Sequence, residues 1–247
     1  IILILSSDHE IKDKEKFIEV LNLGIDYAKK ERLVTFGIVP KSPQTGYGYI
    51  EAENAFSENK IVGENIVGFI EKPDFKTAEK LILEKTFTWN SGIFMFKAKT
   101  IINEINKYYP EIIEICKDSL SKSEMDLDFQ RLNKKSFASC PDISIDISIM
   151  EKTKKGLVLP LDVGWSDIGS WQALWETSNQ DENGNFIQGN IITESTKNCY
   201  LSSEKRLLVG IGLSDIIAIE TRDAILISEK SQTQKVKNIV NKLKKNK

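Results

Sequence analysis

A chain of 247 residues is long enough to bury a sizeable core, either as one large domain or as a domain with a small appendage. Its 34 Lys and Arg against 36 Asp and Glu leave a formal charge of −2, which gives no global reason to expect nucleic acid and suits a small or nucleotide ligand better. The three cysteines show no paired spacing, His9 is the only histidine, and no apolar run approaches the roughly 18 to 20 residues of a membrane helix. Disulfide frameworks, His/Cys zinc sites and membrane spans are therefore unsupported, and the reduced cytoplasm is the expected compartment.

The first residue is Ile rather than Met, and IILIL (residues 1–5) reads as a fully buried strand already under way, so a piece of a longer chain is expected. Phe17, Val20, Leu21, Ile25 and Ala28 recur at helical spacing behind a candidate cap, Asp13, and residues 33–39 read as the next strand. Strand, helix, strand is the unit of a mainly parallel sheet in an α/β fold, in which ligands sit beyond the carboxyl ends of the strands. Residues 41–48 form a loop, residues 49–56 and 66–70 strands, residues 75–84 a helix and residues 92–96 a further strand. Helices separated near Pro110 follow, and residues 126–132 are predicted helical. Beyond Gly169 a helix carries Trp171, Leu174 and Trp175. The Asn-, Asp- and Gly-rich stretch 179–189 sets the expected domain boundary, giving a core over 1–178 and a β-rich region over 179–247 that closes in a helix at 234–245.

Several residues stand where chemistry is expected. Asp8 follows the first strand, at a sheet edge where phosphates and their metal commonly sit; a turn or helix cap is the plainer reading. Asp167, in GWSDIGSW (residues 164–171), precedes a helix and reads equally as its cap. Magnesium takes one or two protein carboxylates and completes its shell with water and phosphate oxygens, so two such residues suffice if the fold brings them together. TGYGYI (residues 45–50) offers Gly48 for close backbone approach. FIEKP (residues 69–73) ends a strand with Glu71, an acceptor for sugar hydroxyls, and Lys72, a partner for a sugar phosphate; an exposed ion pair is the plainer alternative. In WNSGIFMF (residues 89–96) the Asn90 amide both donates and accepts.

Taken in order, SSDH, TGYGYI, FIEKP, WNSGIFMF, SIDISIMEK and GWSDIGSW resemble the mannose-1-phosphate guanylyltransferase family over nearly the whole chain. The resemblance implies a Rossmann-like nucleotide-diphospho-sugar transferase core. Asp8 and Asp167 are then the Mg2+ ligands, Gly48, Glu71 and Asn90 sugar contacts, Lys72 a partner of the sugar phosphate, and Asp146 and Glu151 hexose-pocket positions. The substrates it implies are GTP and mannose-1-phosphate, with neither nucleic acid nor membrane as partner and with homo-oligomerisation left open. Family members begin with a strand and a glycine-rich loop that holds the triphosphate. Nothing before Ile1 supplies that loop here, so residues 1–247 alone are expected to be inactive. The rivals are another sugar-1-phosphate nucleotidyltransferase, using glucose-1-phosphate with UTP or dTTP, and a non-catalytic sugar-nucleotide-binding regulatory homologue.

Overall fold

The computed structural model describes residues 1–57 and 59–245. The chain divides into two compact units, Ile1–Ser7 with Lys12–Val163 and Asp8–Ile11 with residues from Gly164 onward. The first unit opens with β1 (Ile2–Ile4), lends the chain to the second unit for β2 (Glu10–Ile11), and resumes at α1 (Lys14–Lys29). Asp13 caps α1 as predicted, accepting from Lys16 N–H at 2.9 Å, and Phe17, Val20 and Ala28 are buried. β3 (Leu33–Ile38), β4 (Tyr49–Ala52), β5 (Glu64–Ile70), α2 (Phe75–Leu83) and β6 (Phe87–Phe96) follow. α3 (Ala98–Tyr108) and α4 (Pro110–Ser121) meet at Pro110, whose missing N–H costs nothing at a first helical position. The unit is completed by β7 (Glu124–Asp126), β8 (Phe129–Arg131), α5 (Lys134–Phe137), a π-helical turn at Asp146–Met150 and β9 (Gly156–Leu161).

The main sheet has the order β1-β6-β3-β9-β5-β4, and β4 also pairs with β6. β3 is buried at every position between β6 and β9, which explains its near-unbroken apolar sequence. Leu33, Phe94 and Phe96 pack with Ile101, Ile149 and Met150, so the π-helical turn is part of the core. The α/β class holds, but the pairing is less parallel than the strand, helix, strand pattern implied. β1, β3, β9 and β4 run the same way, yet β6 and β5 are inserted between them, leaving β3–β9 as the parallel pair among the described residues of this sheet.

Two expectations are corrected here. β1 is not fully buried: it lies at the sheet edge against β6, with Ile2 and Ile4 each 42% exposed. Residues 126–132 are not helical; they turn back as the β7–β8 hairpin, with Leu127 at φ 53° and Arg131 paired to Asp126 across it at 3.0 Å. A left-handed backbone at Leu127 ends any helix, and the exposed hairpin offers no buried stripe to favour one.

The second unit contains β2 and β10 (Trp165–Ser166) as an antiparallel ribbon, then α6 (Trp171–Thr177). Coils of parallel strands follow: β11 (Phe186–Gln188), β12 (Ile191–Glu194), β13 (Tyr200–Ser203), β14 (Leu208–Ile211) and β15 (Ile216–Glu220). β11, β13 and β15 stack in parallel register and β12 pairs in parallel with β14, while β16 (Ile225–Glu229) closes the first stack antiparallel. Cys199, Leu201 and Ala218 fill the inside of the coils with Ile191 and Leu208. Tyr200, Ile217 and Ile219 face out and are covered by Trp171, Leu174 and Trp175. That cover explains why the units divide at Val163 and Gly164 rather than at residue 178: α6 belongs to the β-rich core it shields. A 3-10 segment, Lys230–Lys235, leads into α7 (Val236–Lys245). Among the described residues no helix is long and apolar enough to cross a membrane.

Candidate active site

Strand register brings three of the predicted residues together in the first unit. Tyr49 pairs with Ile70 of β5 and with Trp89 of β6. In antiparallel register the residue before Tyr49 then faces the residues after Ile70 and Trp89, so Gly48 lies opposite both Glu71 and Asn90. Asn90 N–H donates to the Gly48 carbonyl at 2.8 Å. A Cβ at position 48 would stand 2.7 Å from Glu71 Oε2, so the glycine is what admits the carboxylate so close to the strand.

The NSG sequence is a bulge in β6. Thr35 pairs with Phe94 but Gly37 with Asn90, so Ser91, Gly92 and Ile93 stand against Phe36 alone. Each residue of the triplet has a task. Gly92 adopts φ 68°, Ser91 Oγ donates to the Phe36 carbonyl and accepts Ile93 N–H, and Asn90 Oδ1 accepts Gly92 N–H at 3.2 Å. The bulge re-aims Asn90, whose Nδ2 donates to Asp146 Oδ1 at 3.0 Å. Asp146 opens the π-helical turn, an irregularity often found at functional sites. Burial pushes its carboxyl above the usual carboxylate range; the Asn90 hydrogen bond opposes this, and the charges of Glu71 and Glu151 add to it.

Lys72 lies at the end of β5 with φ 44°, a conformation uncommon for lysine, and its ammonium pairs with Glu71 Oε1. Both side chains are mostly exposed, so the pair contributes little to stability and leaves the ammonium accessible to an anion. The arrangement collects a carboxylate, an amide, a half-buried acid and a cation around one glycine, a set suited to hydroxyls and a phosphate.

Asp8 and Asp167 belong to the second unit. Ser166 pairs with Glu10 and Trp165 with Ile11, so Asp8, two residues before Glu10, and Asp167, one after Ser166, stand at the same end of the ribbon. Asp167 Oδ1 accepts Gly169 N–H at 2.9 Å across Ile168, whose φ of 48° is an outlier for a β-branched residue. The helix cap expected as an alternative role for Asp167 is taken by Ser170, which accepts from Ala173 N–H at 3.1 Å. His9 is occupied structurally: Trp165 Nε1 donates to its Nδ1 at 3.3 Å and the rings meet edge to face.

Among the described residues no group of three or more His, Cys, Asp or Glu could hold a metal by itself, so a cation held at Asp8 and Asp167 would need substrate and water oxygens to complete its shell. Sequence reasoning missed Glu10, whose Oε2 is buried in this ribbon without a hydrogen-bond partner, an acceptor suited to a water or a cation. Its spacing to Asp8 was the available signal. Also missed was Tyr49, read only as strand.

The sequence matches the Nucleotidyl transferase family over residues 1–184 and the MannoseP isomerase/GMP-like beta-helix domain over residues 189–243. It is 42% identical over 244 residues to a putative mannose-1-phosphate guanylyltransferase of Vibrio cholerae, covering 99% of this chain and 52% of that protein. The mannose-1-phosphate guanylyltransferase of Escherichia coli K12 is 38% identical, with 99% and 51% covered. The chain thus spans about half the length of the curated relatives it matches. In fold it is similar to the crystal structure of mannose-1-phosphate geranyltransferase from Thermus thermophilus, with TM-score 0.82, 26% identity, and 98% of this chain and 69% of that one covered. With a nucleotidyltransferase match across the first unit and a β-helix match on the coils of the second, the chain belongs to the nucleotidyl transferase family.

Proposed function

We propose that the protein serves a mannose-1-phosphate guanylyltransferase, in which a mannose-1-phosphate oxygen attacks the α-phosphorus of GTP and pyrophosphate leaves, giving GDP-mannose in the cytoplasm. The observation that carries this reading is the convergence of Glu71, Asn90 and Asp146 around Gly48, which offers acceptors and a donor for adjacent hydroxyls beside an accessible lysine. Similarity to proteins named for this activity supports it.

In this reading Glu71 accepts from sugar hydroxyls, and Asn90, held by Gly92 and Asp146, presents a fixed amide edge. Lys72 turns its ammonium from Glu71 to the sugar phosphate, offsetting charge as the two phosphates approach. The attacking phosphate is ionised near neutrality, so no histidine base is required, and His9 is engaged with Trp165. Asp8 and Asp167 would hold Mg2+, which when bound supplies positive charge to phosphate oxygens. In the full gene product Asp8→Ala and Asp167→Ala should each lower turnover by about a hundredfold or more while mannose-1-phosphate still binds. Near-normal turnover of either at saturating magnesium would overturn the assignment. Comparing GTP with UTP and dTTP, and mannose-1-phosphate with glucose-1-phosphate, tests the substrate pair, and no turnover of any pair would favour a regulatory homologue.

A further inference from the structure

The loop that delivers Gly48 to the site, residues 39–48, is tied to the core by the phenol of Tyr49. Tyr49 is fully buried, yet its hydroxyl reaches back along its own chain to accept Gln44 N–H at 3.1 Å and to donate to the Gln44 carbonyl at 2.9 Å. Both backbone groups of one loop residue are thereby satisfied by one side chain, closing a ring around residues 44–49. Gln44 Nε2 donates to Ser42 Oγ at 3.0 Å, and the start of the loop is anchored by Val39 N–H to Leu161 O at 3.1 Å and by the Lys41–Asp162 ion pair at 2.7 Å. Between these anchors and β4 the Tyr49 hydroxyl ties down Gln44, while Tyr47 packs against Trp89 and Asn90 N–H bonds the Gly48 carbonyl.

The same residue sets the register of the site, because Tyr49 is paired on one side with the residue before Glu71 and on the other with the residue before Asn90. A shift of the loop backbone at Gly48 alters its hydrogen bond from Asn90 and its spacing to Glu71 together. We infer that Tyr49 is a positioning residue for sugar-phosphate recognition, its hydroxyl locking residues 44–48 so that Gly48, Glu71 and Asn90 hold their mutual geometry. The inference rests on the proposed function for its substrate, but the lock itself does not.

The test is Tyr49→Phe in the full gene product, which keeps the buried ring and removes only the hydroxyl. Its KM for mannose-1-phosphate should rise about fivefold, since the two part-buried hydrogen bonds lost at Gln44 are partly replaced by water, while kcat and the KM for GTP stay within about twofold. Backbone amide exchange in residues 41–48 should quicken without a matching change in the rest of the first unit. Gln44→Ala, which keeps the backbone partners and loses the side-chain amide, should leave both readouts as in the wild type. Unchanged exchange at Gln44 in Tyr49→Phe overturns the lock, whatever the substrate. A fall in kcat at constant KM, or a Gln44→Ala variant that behaves like Tyr49→Phe, overturns the positioning role. Failure of the wild type to use mannose-1-phosphate would instead remove the proposed function, and the exchange comparison would still decide the lock.

Discussion

Asp146 carries its negative charge at a cost, since burial and the nearby carboxylates of Glu71 and Glu151 all favour its neutral form. Because its folded-state affinity for a proton is raised, its contribution to stability is full below the ordinary carboxylate range and is lost as pH rises through the folded value. Asp146→Asn stays neutral and still offers Asn90 an oxygen, so its melting temperature relative to wild type should climb as pH rises from the ordinary carboxylate range through the raised folded value. Thermal melts across that range check the sign, and a constant difference would contradict it. At this scale the sequence was most legible where a residue type answers a chemical need: Gly48 was nominated for close backbone approach and Glu71 and Asn90 for donor and acceptor capacity, and register places Gly48 opposite both. The resemblance supplied Asp146 and Glu151. Tyr49 stayed hidden because a tyrosine in a strand reads as ordinary β packing, and nothing local shows that its hydroxyl turns back to Gln44.

The elements that were read well owe it to periodicity and caps. α1 begins at the aspartate read as its cap, Asp13, and buries the stripe its spacing defines, and α2, read over residues 75–84, starts behind Asp74, a cap the sequence reading did not name. β6 was read as half its length, because Asn90, Ser91 and Gly92 interrupt the apolar run with a bulge whose bonds go to β3 and back on themselves. The β7–β8 hairpin defeated the reading for a different reason, since a left-handed leucine carries no sequence signature. The bulge makes its own prediction. At Gly92 a Cβ meets nothing within 4 Å, so Gly92→Ala has room and its cost is conformational, about 1 to 2 kcal/mol for a left-handed alanine. Urea unfolding should register that loss, and, on the proposed function, the KM for mannose-1-phosphate should rise as the strained bulge shifts Asn90. An unchanged midpoint would show that the bulge relaxes into another shape.

On the scale of the whole molecule, composition marked the polar stretch 179–189 as a boundary, whereas the contacts divide the chain at residue 163, because Trp171, Leu174 and Trp175 shield the coils. Composition cannot show which core a tryptophan covers. In those coils Glu220 is 2% exposed and accepts hydrogen bonds from Lys205 N, Arg206 N, Ser203 Oγ and Arg206 Nη1. Led by the Lys205 backbone bond, these hold its carboxyl down to about 2 from 4.5. A depressed carboxyl contributes stability that is present above 4.5 and lost as pH falls through the folded value, so the second unit should weaken in acid over that window. Glu220→Gln should melt lower at neutral pH and show a flatter acid limb, which pH-dependent unfolding followed by tryptophan fluorescence can measure.

The β2–β10 ribbon has a further consequence, in time rather than space. His9 and Trp165, which meet within it, are separated by 156 residues of chain. At translation speeds of about 5 to 20 residues per second, Asp8 emerges about ten to thirty seconds before Asp167 is made. Throughout that interval the nascent protein holds its first carboxylate with no counterpart and an open strand waiting at β2. The β2–β10 ribbon can therefore close only after the whole first unit has been synthesised, which makes it a late step in the assembly of the protein.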